Sequence, residues 1–143
     1  MGIIDFGCVK EIPEDYYQSY FALINPHILK DEANMLRLFY DLEFLSPTDT
    51  PAQVAFFSEM FKTMIVLLGK PFHTPTFDFG DEAYFASVFE YGEKMSRYKE
   101  LRESKSARGS RHALYINRTY YGLYSMLHEL QANITTTKPG WMM

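Results

Sequence analysis

The sequence predicts a mainly α-helical fold, an irregular domain of about five or six helices with little or no sheet. Three observations predict it. Apolar residues recur at spacings of three and four over four separate stretches. Helix-start signals precede three of these stretches and stop signals follow two. Strand signals are confined to residues 2–6 and 8–9, and both are short.

The elements follow in order. Residues 1–12 read as a strand-like or irregular lead-in. A lone strand cannot satisfy its own backbone groups, so this segment is expected to be irregular or to pair with something the chain lacks. Pro13-Glu14-Asp15 opens the first helix, with acids in its first turn. Asp31 and Glu32 open a stripe of Met35, Leu38, Phe39 and Leu42. Thr50-Pro51 opens Phe57, Met60, Phe61, Met64 and Leu68, which Gly69-Lys70-Pro71 ends. Asp81-Glu82 opens Tyr84, Val88, Tyr91, Met95, Tyr98 and Leu101. The last stripe is Ile116, Tyr120, Leu123, Leu127 and Leu130, stopped at Asn133. Residues 13–134 form the helical body and 135–143 a polar tail. No Pro/Gly/Ser linker and no fixed-period repeat divides the chain, so residues 1–143 are expected to form a single domain.

Composition narrows the function classes. At 143 residues the chain can bury about two thirds of its unfolded surface without a metal or disulfide staple. Aromatic residues reach 17%, and at helical spacing they read as core. A net charge of −4 argues against nucleic acid as a partner. The single Cys8 excludes an internal disulfide, fits a reducing compartment and reads as a small packed residue. The first twenty residues lack the apolar core of a signal peptide. The longest aliphatic run, residues 64–68, is too short to span a bilayer. The expectation is a soluble, cytoplasmic protein. His27, His73, His112 and His128 are scattered, so metal chemistry built on histidine is not expected.

Charge is uneven. Residues 1–60 carry ten acids against three bases, and residues 93–112 carry seven bases against three acids. Lys105, Arg108 and Arg111 fall where the apolar period fades after Leu101. They read either as a solvated helix end or as contacts to an anionic partner, membrane surface or phosphate. In both readings they are exposed. Replacing all three by Gln is then expected to change stability by less than about 1 kcal/mol. Arg118, among Tyr115, Tyr120, Tyr121 and Tyr124, reads as a structural arginine that pairs with an acid or stacks on a ring.

Asp-Phe-Gly occurs twice. The copy at Asp78-Phe79-Gly80 follows a loop, precedes a helix start and reads as a turn and cap. The copy at Asp5-Phe6-Gly7 follows the Ile3-Ile4 pair, as the magnesium-binding aspartate of a kinase follows an apolar strand. Residues 4–13 (IDFGCVKEIP), with residues 114–127 (LYINRTYYGLYSML), resemble the AarF/UbiB family of atypical kinase-like proteins. The resemblance runs from Gly2 to about Ala132. It implies the helical end of a kinase-like C-terminal lobe, from a family linked to isoprenoid-quinone and lipid metabolism. It implies that Asp5 would bind Mg²⁺ and ATP in an intact parent.

The nucleotide-covering loop, the strand lysine with its helix glutamate and the catalytic-loop Asp and Asn would all precede Asp5. So would the family's Lys-x-Gly-Gln motif. Only four residues do. No activity, cofactor or catalytic residue is expected of this chain alone. An expressed fragment, a split or truncated reading frame and a stand-alone remnant all fit. Its partner would be the missing kinase-like lobe or a second copy of itself, and the parent would associate peripherally with membranes. Taken alone, Asp5 reads as a solvated turn aspartate. The competing reading of the whole chain is a stand-alone helical interaction module that self-associates.

Overall fold

The computed structural model of the chain describes residues 9–103 and 108–136. Helices make up 69% of them, so the fold is mainly α as expected. The order is α1 (Glu14–Ala22), α2 (Pro26–Lys30), α3 (Glu32–Asp41), α4 (Pro51–Gly69), a 3₁₀ turn (Lys70–His73), β1 (Thr76–Asp78), α5 (Glu82–Ser96), α6 (Lys99–Glu103), α7 (Arg111–Glu129) and β2 (Asn133–Thr135). The described residues thus hold seven α-helices rather than five or six. One addition is the short α2. The other is α6, made where the stripe from Tyr84 to Leu101 breaks at Arg97.

The start signals work through hydrogen bonds. Thr50 and Gln53 form a reciprocal capping box, the Thr50 hydroxyl accepting from the Gln53 amide at 3.2 Å and the Gln53 side chain accepting from the Thr50 amide at 2.9 Å. Asp31 caps α3, and Asp81 caps α5 by accepting from the amides of Ala83 and Tyr84. Two helix ends carry no such signal. After α3, Glu43 adopts φ 62°, its amide bonds the Tyr40 carbonyl, and the Phe44 amide bonds that of Phe39 at 2.8 Å. After α7, Gln131 adopts φ 48°, its amide bonds the His128 carbonyl, and the Ala132 amide bonds that of Leu127. Both are Schellman closures built on a side-chain-bearing residue where glycine is usual.

The sheet is a two-stranded antiparallel ribbon pairing Thr76 with Thr135, Phe77 with Ile134 and Asp78 with Asn133. Three-residue strands are too short to show an alternating pattern, so the sequence points elsewhere. Residues 2–6 lie outside the described residues, and Val9 belongs to no strand. The ribbon also places residues 133–135, read as stop signal and tail, inside the ordered body.

Two apolar clusters hold the helices together. The larger joins α3, α4 and the turn after α3, where Phe44 stacks on Phe61 at 4.6 Å and both meet Phe39. The smaller gathers Phe77, Phe79, Tyr84 and Tyr124. Among the described residues, Pro51–His73 is the one stretch long and apolar enough to cross a membrane by length and composition. In this fold its Phe57, Met60 and Phe61 lie in the core.

Three tyrosines fasten neighbouring helices to α4. The hydroxyls of Tyr84 and Tyr124 donate to the carbonyls of Leu67 (3.1 Å) and Leu68 (2.9 Å), and Tyr91 donates to that of Met60. Leu67 and Leu68 lie in the last turn of α4, where carbonyls run short of partners; the Leu67 carbonyl also accepts from the Lys70 amide, and α5 and α7 supply the tyrosine donors.

Two predictions follow from these bonds. Glu43→Gly should raise stability by about 1 kcal/mol, because the left-handed conformation is unfavourable for a residue with a Cβ; chemical denaturation checks it. Burial pushes Tyr84 and Tyr91 up to about 12 and raises Tyr20 and Tyr124 as well. The unfolded chain therefore loses phenolic protons first as pH rises past the ordinary value of 10. Stability should be intact below pH 10 and fall steadily from there toward 12. Thermal melts across that range should show the decline, and the Tyr84→Phe, Tyr124→Phe pair should flatten it.

Candidate functional site

The residues singled out from sequence fall in different places. Asp5 and Lys105 lie outside the described residues. The second Asp-Phe-Gly is structural, as expected. The Asp78 carboxylate accepts from the Gly80 amide at 2.9 Å, and Phe79 is buried with its amide bonded to the Ala132 carbonyl. Arg111 is exposed at the first position of α7.

Arg108 is a correction. It is not a solvated cation. Its guanidinium makes a two-pronged pair with Asp49, Nη1 to Oδ2 at 2.5 Å and Nη2 to Oδ1 at 2.8 Å, with the side chains only 10% and 4% exposed. Its charged carbon lies 3.7 Å from the centre of the Phe57 ring. Asp49 also accepts from the Ser46 amide, and the Arg108 bond holds its carboxyl below the usual carboxylate range. The partner lies 59 residues away in sequence, so no local pattern reveals the pair. Next to Arg108, Gly109 takes φ 84° while its amide bonds the Glu43 carbonyl. A Cβ there would come within 3.1 Å of Phe44, so the approach of this turn to the core requires glycine. Arg118 is a second correction. It is exposed, and among the described residues it makes no ion pair or ring contact.

An apolar cleft of about 460 Å³ opens between the two clusters. Helices α1, α4, α5 and α7 each turn a stripe toward it: Tyr20 and Ile24 from α1 and the turn after it, Leu68 from α4, Phe85 and Phe89 from α5, and Asn117 with Tyr121 from α7. At its floor the Tyr20 hydroxyl donates to the Asn117 carboxamide oxygen. Among the described residues the Asn117 amide nitrogen has no hydrogen-bond partner. Glu93 is the only charged side chain among the described lining residues. Gly92 lies on the lining stripe of α5, and a Cβ built on it would meet nothing within 4 Å. Sequence reasoning missed this site. A polar Asn117 on the buried side of α7 and a glycine in mid-helix were its only signals.

The two sequence words that carry the resemblance come together here. Lys10, from the first, sits with its ammonium 5.8 Å from the centre of the Tyr115 ring, in the second. Helix α1, which follows the first word directly, lies along α7 through Tyr20–Asn117 and through the Phe21 and Tyr120 rings 5.8 Å apart. Among the described residues no group of His, Cys, Asp or Glu could hold a metal ion. No family model matches the chain, and comparison with curated proteins and with solved structures finds no match.

The buried pair has a measurable consequence. Arg108→Gln should cost about 3–5 kcal/mol, because it leaves Asp49 buried without its partner. The exposed Arg111→Gln should stay within about 0.5 kcal/mol of the parent. Urea denaturation of the two single variants separates these outcomes.

Proposed function

We propose that this chain is the non-catalytic helical part of an AarF/UbiB-like, kinase-related protein. It serves as a binding body for the nucleotide-holding lobe rather than as a site of chemistry. The contact between the two sequence words supports this reading. The segment that would deliver Asp5 toward a nucleotide is anchored on α7 by Lys10 over Tyr115 and by Tyr20 on Asn117. In the assembled protein Asp5 would hold Mg²⁺ on ATP, and the kinase-like lobe would supply the lysine and catalytic-loop groups that phosphoryl transfer needs. A second reading, self-association, draws support from the exposed apolar side of α7, where Leu123, Met126 and Leu130 are 42%, 57% and 76% accessible.

The test is a thermal melt with Mg²⁺-ATP. The chain's melting temperature should stay put, and Asp5→Asn should leave it unchanged, since one carboxylate contributes little nucleotide affinity. A saturable stabilisation by Mg²⁺-ATP that disappears in Asp5→Asn would overturn the non-catalytic reading. Light scattering at high micromolar concentration decides between the two readings: a clean monomer removes the second.

A further inference from the structure

Native interiors are close-packed, with few voids larger than a water molecule. The space between the two clusters is not such an interior but a cleft open on one side, where Phe89 and Tyr121 are 67% and 68% exposed. Its volume of about 460 Å³ falls within the range of roughly 300–1,000 Å³ typical of small-molecule sites. An apolar lining left facing water is stabilised when an apolar ligand covers it. The lining is also selective. Aromatic rings from α1, α5 and α7 supply flat apolar walls. Tyr20 and Tyr124 spend their hydroxyls on Asn117 and on the Leu68 carbonyl and offer no further donor. The Asn117 amide is left as a free donor beside the Tyr20 hydroxyl, and Tyr120, Tyr121 and Ser125 add hydroxyls elsewhere on the lining. Glu93, the only charge among the described lining residues, disfavours an anion.

We propose that the cleft between α1, α4, α5 and α7 binds a neutral, largely apolar small molecule carrying one hydrogen-bond acceptor, which the Asn117 amide receives. Gly92 leaves the room for it. Leucine at that position would project from the lining stripe of α5 into the cleft. The site stands on this geometry alone and does not depend on a kinase-like parent.

Nile red is a suitable probe, being neutral, flat and apolar with a single carbonyl. Titration should give saturable one-to-one fluorescence enhancement. Gly92→Leu should weaken it at least tenfold while raising the melting temperature, because leucine is the better helix former. Asn117→Asp keeps an acceptor for the Tyr20 hydroxyl and removes the donor, and it should weaken binding severalfold. The anionic probe ANS should bind less tightly than Nile red. Unsaturable Nile red fluorescence, or affinity unchanged in a folded Gly92→Leu, would overturn the proposal. So would self-association of the parent that Gly92→Leu abolishes, since the cleft would then be filled by a second copy. Should Gly92→Leu fail to fold, Asn117→Asp carries the same decision: unchanged affinity in that variant overturns the assigned donor and with it the site.

Discussion

Helix α4 is mostly apolar, and it leaves one side exposed, along Ala52, Ala55, Glu59, Thr63 and Val66. Across its nineteen residues only Glu59 and Lys62 are charged, and apolar residues occupy most of its circumference. Such a helix is stable in water only when other elements cover the rest of its circumference. The rest of the fold answers that requirement. The turn after α3 places Phe44 against Phe61, and α6 is approached through Tyr98, whose ring meets Phe56 edge-on at 4.9 Å. Helices α5 and α7 close the C-terminal half with hydroxyls aimed at its carbonyls. The abundance of tyrosine over tryptophan has a physical role here. A phenol brings apolar area for the side of α4 and a donor for carbonyls in its C-terminal half.

The part of this arrangement legible in the sequence was the part made of local pattern. Four apolar stripes located α3, α4, α5 and α7, and the caps at Asp31, Thr50 and Asp81 lay where a short polar residue met the start of a stripe. Features that depend on distance along the chain could not be read. The Asp49–Arg108 pair joins two loops, and Arg108 sits in a basic run whose ordinary environment is solvent. The ribbon of β1 and β2 is too short for a period. The Schellman turns at Glu43 and Gln131 lack the glycine that marks such ends. The second Asp-Phe-Gly was legible because its capping chemistry is local.

The cleft shows the same division. Each wall belongs to a helix whose existence the stripes announced, yet its volume comes from how four helices fail to meet. Gly92 and Asn117 look like weak points of their helices when judged by pattern alone, one for propensity and the other for polarity. Together in space they mark the open side and the floor of one cavity. The aromatic excess then reads twice over. Phe39, Phe44, Phe57 and Phe61 are packed in one cluster, while Phe89 and Tyr121 face open space.

The β-ribbon has a topological consequence. By joining Thr76 to Thr135 it closes α5, α6 and α7 into a loop whose two ends meet. The Ala132 carbonyl accepts from the Phe79 amide and the Pro75 carbonyl from the Thr136 amide, so the closure is bonded beyond the ribbon on both sides. A backbone break inside that loop would leave both pieces clasped at the ribbon and along α4.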